Sequence, residues 1–364
     1  MRIFYASHDP GNSVPQSKTW YNNLYLPLCD IAEEVIRFDY DLFPICLHQD
    51  FRIATNKEII DYHKPRIEKE LISQIETVHK KSPIDLFFSY FASSYCSPEI
   101  IRKIGEMGIT TVNWFCNASY QFYLVEEIAT AYHYCLVPEK FRLEDYRRVG
   151  ANPIYCQEAA NPNIYKPYNI EKEIDISFLG QRYADRYKYI RDLHNAGLKI
   201  KVFGENWKPQ NPKGVLKKIL RPIYNIARKD KPVPASAIGG YISDEEMVKV
   251  YSRSKINLGF ANCYSSPGEE PIKQVRLRDF EVPMSGGFYL TEYFEELADF
   301  FVPDKEIVCF TDAKDCIDKA KYYLDHSQER EEIRLAGHQR ALKDHSWQKR
   351  LRDVFGEMGY SFSN

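Results

Sequence analysis

Residues 276–292, Arg-Leu-Arg-Asp-Phe-Glu-Val-Pro-Met-Ser-Gly-Gly-Phe-Tyr-Leu-Thr-Glu, place two arginines, a glutamate and a Gly-Gly step in an order that could do chemistry on an anion. The stretch follows the apolar strand pattern 255–260 and reads as a helix start, a turn and a strand. A helix N-terminus offers unpaired backbone N–H groups and the positive end of a dipole. Arg276 and Arg278 add cationic forks whose geometry matches phosphate oxygens. Glu281, one turn on, can accept from the two hydroxyls of a ribose, and Gly286 and Gly287 let the chain turn and approach a ligand where a side chain would obstruct. The combination suits a nucleoside diphosphate.

A second group of this kind stands earlier. The apolar run 174–179 ends in Gly180-Gln181-Arg182 and is followed by Arg186. A strand, a glycine, basic residues and then a helix is an arrangement that aims backbone amides and guanidinium groups at a phosphate. Gly204 closes the next strand pattern, 200–203, in a turn, and Gly240-Tyr241-Ile242 precedes a helix opened by Ser243. Near the amino terminus, His8-Asp9-Pro10-Gly11-Asn12-Ser13 follows the first strand pattern, where ligands approach a doubly wound sheet. Either His8 or Asp9 could serve as a base, and the same residues equally suit an Asp-Pro-Gly turn.

Three segments carry a family resemblance: Arg278-x-Phe280-Glu281, Ser285-Gly286-Gly287-Phe288-x-Leu290-Thr291 and Ser254-Lys255-Ile256-Asn257-Leu258-Gly259-Phe260. They resemble the CgeB-like glycosyltransferases, relatives of the large retaining superfamily with GT-B architecture. The likeness is densest over residues 174–348 and thin over the first 150. It implies an α/β protein of two Rossmann-like, doubly wound domains facing a central cleft. It further implies metal-independent transfer of a sugar from a UDP-, GDP- or TDP-linked donor to an unidentified acceptor, with the nucleotide sugar as co-substrate and no cofactor.

The resemblance also implies roles for individual residues. Arg182 and Arg186 match a basic pair that stabilises the leaving diphosphate together with Arg278. The turn at Gly204 resembles one lining the nucleotide site, and residues 240–242 match a stretch that holds the base, with Tyr241 stacking on it. The alternative for Tyr241 and Ile242 is a strand entering the core. The superfamily's pair of glutamates is altered: Glu281 matches the ribose-binding one, but Lys273 stands where the sugar-facing one belongs, so Lys273 and Gln274 would face the donor instead. After the Trp-containing strand, Asn117 occupies a position that is often acidic, and an amide cannot act as a base. Asp39-Tyr40-Asp41 has the form of the manganese motif of the other large glycosyltransferase fold but lies away from the basic residues, and no metal site is expected.

These groups need two scaffolds, and 364 residues suffice for two domains of ordinary size. Hydrophobic residues at 44% and charged residues at 27% exclude extended disorder, and a net charge of −2 gives no reason to expect nucleic acid. Nine cysteines without a C-x-x-C pair read as reduced core residues. No run approaches the length of a membrane span, and a cytoplasmic location is expected.

Strand patterns at 2–7, 34–38, 84–90, 110–115, 132–137 and 153–156 alternate with helical stretches at 20–31, 56–79, 97–105, 122–128 and 139–149. The expected division is an acceptor-side domain over 1–160, a linker over 161–173, a donor domain over 174–345 and a terminal helix in 346–364 that, by resemblance, crosses back to the first domain. In the donor domain the strand patterns are 174–179, 200–203, 255–260, 288–291 and 307–310. Residues 208–238 form a basic insertion, with eight Lys or Arg against the single acid Asp230. Leu216, Ile219, Leu220, Ile223 and Ala227 at helical spacing make it a candidate for weak contact with an inner membrane surface or an anionic acceptor. Two rivals share this architecture: a nucleotide-sugar epimerase, and a nucleotide-binding module without turnover.

Overall fold

Runs such as Leu86–Ser89, buried at every position and apolar up to its last residue, are what a parallel strand covered on both faces requires. The computed structural model describes residues 1–8, 17–207, 233–263 and 271–362. The chain divides into two units: residues Met1–Asn161 with Trp347–Asn364, and residues Pro162–Ser346.

Unit 1 holds a six-stranded sheet of β1 (Arg2–Ala6), β2 (Glu34–Arg37), β3 (Leu86–Ser89), β4 (Thr110–Trp114), β5 (Tyr134–Val137) and β6 (Pro153–Tyr155). Every neighbouring pair is parallel, and the order is β2-β1-β3-β4-β5-β6. The order reverses between β1 and β3, so ligand-accessible loops diverge at their carboxyl ends. Helix Trp347–Glu357 belongs to this unit and buries Trp347, Leu351, Val354 and Phe355. Its Trp347 ring lies 5.5 Å from that of Trp114 and its Phe355 ring 6.4 Å from that of Phe88.

Unit 2 has a second parallel sheet of β7 (Ile174–Leu179), β8 (Ile200–Phe203), β9 (Ile238–Gly240), β10 (Ser254–Leu258), β11 (Tyr289–Glu292) and β12 (Val308–Phe310). Its order is β12-β11-β10-β7-β8-β9, with the reversal between β7 and β10. That is the Rossmann order, whose crevice opens beyond the carboxyl ends of the two strands at the reversal. Helices Arg186–Asn195, Asp244–Arg253, Leu277–Met284, Ala313–Asp325 and Ser327–Asp344 pack around it.

The structure departs from the sequence reading in two places. The basic insertion does not run to residue 238, because Ile238–Gly240 pairs beside β8 as an edge strand. Residues 208–232, and with them the amphipathic pattern, lie outside the described residues. The helix read over 20–31 is a π-turn, Tyr21–Tyr25, followed by an α-helix, Leu26–Ile31. Pro27, which has no N–H to continue the α ladder, stands just after that change of pitch. Among the described residues, no helix is long and apolar enough to cross a membrane.

Candidate functional site

The carboxyl ends of β7 and β10 gather three arginines. Helix Arg186–Asn195 follows β7 after a six-residue loop and places Arg186 beneath that loop, 7% exposed. Its guanidinium donates to the Gln181 carbonyl at 3.1 Å and to the Tyr183 hydroxyl at 2.6 Å, and it stacks over the Tyr183 ring. No carboxylate among the described residues bonds to it. Burial, opposed by Tyr183 and reinforced by the nearby charges of Arg276 and Arg278, pushes Arg186 down to about 10.

Arg278 comes from the first turn of helix Leu277–Met284 and donates through Nη1 to the Leu179 carbonyl, so that helix start is tied to the end of β7. A Cβ built on Gly180 would lie 3.1 Å from Nη1 of Arg278 and 3.3 Å from Nη1 of Arg186, so both forks converge on this glycine. Gly204 approaches the same loop from β8; a Cβ there would sit 2.5 Å from the Gly180 carbonyl oxygen, which only glycine avoids. The Trp207 indole donates to that carbonyl at 2.7 Å. Arg276 donates to the Asn262 carbonyl at 2.9 Å. Asp279 fixes the helix start by accepting the Arg276 amide at 2.7 Å, and burial raises its carboxyl to about 6.

Glu281 is 2% exposed. It accepts from the Tyr251 hydroxyl at 3.3 Å, and Tyr165 bonds to it as well. Tyr251 in turn accepts from Arg278 Nε at 3.0 Å, which links the glutamate to the arginine cluster through one ring. Burial raises the Glu281 carboxyl and Arg278 opposes that rise. Tyr241 follows β9 with 61% of its surface exposed, so it is not a strand residue entering the core, and Ile242 beside it is half-buried.

Several site candidates fall elsewhere. Gly286 and Gly287 precede β11, whereas Gly180 and Gly204 follow their strands, so in a parallel sheet they occupy the opposite edge. A Cβ on Gly286 would meet Pro167 at 2.9 Å and one on Gly287 would meet Asn257 at 2.8 Å: the pair makes a buried helix-to-strand turn, not a ligand approach. Arg182 lies over the Tyr187 ring at 4.0 Å, against the helix that follows its loop. Lys273 is paired with Glu292 at 3.0 Å and donates to the Tyr293 carbonyl, so its charge is matched within the protein. Gln274 is buried, and among the described residues its Oε1 has no hydrogen-bond partner.

In unit 1, His8 follows β1 and packs on Tyr90, which follows β3, at 4.9 Å. Burial lowers the imidazole to about 4, so it is neutral at pH 7 and a weak base. Asp9 lies outside the described residues. Asn117 donates its backbone amide to Glu139, which follows β5. The acidic triplet is a local turn: Asp41 accepts the Phe43 amide at 3.0 Å and the Asp39 backbone exchanges two bonds with the Gln74 side chain. Among the described residues, no group of three or more His, Cys, Asp or Glu side chains could hold a metal. Tyr165, Tyr251, Asp185, Asn262 and Glu292 complete the unit 2 site and escaped the sequence reading, because each is brought there by a different element and carries no local motif.

Comparison with known proteins now bears on this geometry. Residues 186–356 match the family described as glycosyl transferase-like. That span contains Arg186, Arg276, Arg278 and Glu281. No curated protein matches the chain by sequence. The structure is similar to a sucrose-phosphate synthase from Thermosynechococcus elongatus, with a TM-score of 0.59, 12% identity and coverage of 98% of this chain and 99% of that one. It is similar to HepE from Anabaena, solved with UDP and glucose, with a TM-score of 0.57, 10% identity and 99% of both chains covered. A glycosyltransferase from Rickettsia africae aligns with a TM-score of 0.56, 12% identity and coverage of 98% of this chain and 97% of that one. At such identities the likeness establishes the fold: two parallel six-stranded sheets with flanking helices, the α/β architecture of GT-B glycosyltransferases.

Proposed function

We propose that the chain is a glycosyltransferase that takes a sugar from a nucleoside-diphosphate donor bound at the carboxyl edge of the unit 2 sheet. The observation that carries this reading is Arg186, a buried cation beside two further arginines with, among the described residues, no carboxylate bonded to its guanidinium. A buried charge left uncompensated is costly, and an anionic ligand supplies the missing partner. During glycosyl transfer, negative charge develops on the departing diphosphate, and fixed donors already aimed there stabilise it without reorganisation. Arg186, Arg276 and Arg278 would fill that role. Glu281 would accept from the ribose once Tyr251 or Tyr165 gives way, and the exposed Tyr241 would stack on the base.

UDP is the first candidate nucleotide, since HepE was solved with UDP and with UDP-glucose. Unit 1 would bind the acceptor near His8 and Tyr90, at the point where its strand order reverses. The reading needs no metal, because three guanidinium groups supply the positive charge. Thermal-shift measurements against UDP, GDP, TDP and their sugar esters test the donor site: a ligand at a hundred times its Kd stabilises by about 2.7 kcal/mol. A rise for one base, unchanged by EDTA, is expected. No rise with any of them would remove the donor site.

A further inference from the structure

Beside the arginines, the unit 2 edge carries the opposite chemistry. Asn262, 6% exposed, follows β10, and Asp185 stands immediately before Arg186. The Asn262 Nδ2 donates to Asp185 Oδ2 at 3.1 Å, which fixes the amide so that its oxygen is the remaining end. Among the described residues, Asp185 Oδ1 and Asn262 Oδ1 are both buried without a hydrogen-bond partner. The same Asn262 gives its backbone carbonyl to Arg276 at 2.9 Å, so this pair of orphaned acceptors adjoins the cluster of donors.

We infer that Asp185 and Asn262 read the hydroxyl groups of the donor's sugar, an inference that rests on the donor-site reading above. Diphosphate oxygens only accept hydrogen bonds, whereas the hydroxyls of the attached sugar can donate. A site with guanidinium donors on one side and unpaired oxygens next to them presents the complementary sequence of groups. Lys273 has its charge matched by Glu292, and Asp185 and Asn262 supply the acceptor oxygens beside the arginines. Buried acceptors left unpaired are penalised, so a sugar lacking the matching hydroxyl is discriminated against more strongly than one that is merely too small.

Isothermal titration of the full chain with UDP, UDP-glucose, UDP-galactose and UDP-N-acetylglucosamine tests the assignment, using wild type, Asn262→Ala and the isosteric Asp185→Asn. In both variants the affinity for the preferred sugar ester is expected to fall tenfold or more, while UDP affinity stays within twofold and the melting temperature holds. Equal losses for UDP and its esters, no loss for either, or a wild type that binds the esters no tighter than UDP would overturn the assignment. A wild type that binds none of the four removes the donor-site reading itself, which is a separate failure.

Discussion

At the carboxyl edge of the unit 2 sheet a buried cation, Arg186, has Arg276 and Arg278 beside it. At the same edge of the unit 1 sheet stands Glu139, 3% exposed, whose Oε1 accepts the Asn117 amide at 2.9 Å and the Ser119 amide at 3.3 Å, while Oε2 has no hydrogen-bond partner among the described residues. Desolvation acts on both and the outcomes differ. Arg186, lowered to about 10, stays charged at pH 7. Glu139, raised to about 7, can shed its charge by taking a proton. A carboxylate near its own pKa needs no ligand to be tolerated, whereas a guanidinium does. The difference teaches that unit 2 keeps a buried cation that the proposed diphosphate would neutralise, whereas unit 1 uses its buried carboxyl as a tether between the loops after β4 and β5.

Removing a structural group from unit 1 should cost stability and leave nucleotide binding alone. Trp347→Ala empties a fully buried indole site against Trp114 and should cost about 3–5 kcal/mol in denaturant melts. Loss of UDP binding in a sample still folded would break the separation between the units' roles.

Glu139→Gln sharpens the other side. The folded state raises this carboxyl from 4.5 to about 7, so its favourable contribution is complete below pH 4.5 and is lost as pH rises through 7. Over about 2.5 pH units at about 1.4 kcal/mol each, wild type should lose about 3 kcal/mol relative to Glu139→Gln between pH 4.5 and pH 8. Parallel stability profiles for the two proteins would show that the carboxyl is not shifted.

Glu281→Ala should weaken donor binding by about 1–3 kcal/mol, the loss of a charged hydrogen-bonding partner. Tyr251→Phe, which removes one of the two tyrosine donors on the carboxylate, should leave nucleotide affinity equal or higher. Unchanged affinity in Glu281→Ala would take the ribose role away.

The same contrast explains what sequence could deliver. Strands of both sheets are apolar runs between turns, so their existence follows from burial on two faces, as β7 and β8 illustrate with the bounds read from sequence. β9 escaped because Ile238-Gly239-Gly240 has almost no side-chain signal and sits on a sheet edge. Arg186, Arg276 and Arg278 lie in short local patterns, strand–glycine–helix and helix start, that speak for themselves. Gly286 and Gly287 mislead for the same reason: a glycine pair announces a turn but not which edge of the sheet the turn is on. Glu139 and the Asp185–Asn262 pair depend on residues far apart in the chain meeting across adjacent strands, for which no spacing gives warning.

Titration of UDP, with GDP and TDP alongside, into wild type and Arg186→Met tests the central claim most directly. Methionine keeps an apolar stem against Tyr183 and Phe178 and deletes the charge. The expected result is a fall in nucleotide affinity of about a hundredfold, about 2.7 kcal/mol, with a melting temperature that is unchanged or higher because an uncompensated buried charge is gone. Equal nucleotide affinity in the two proteins would contradict the account.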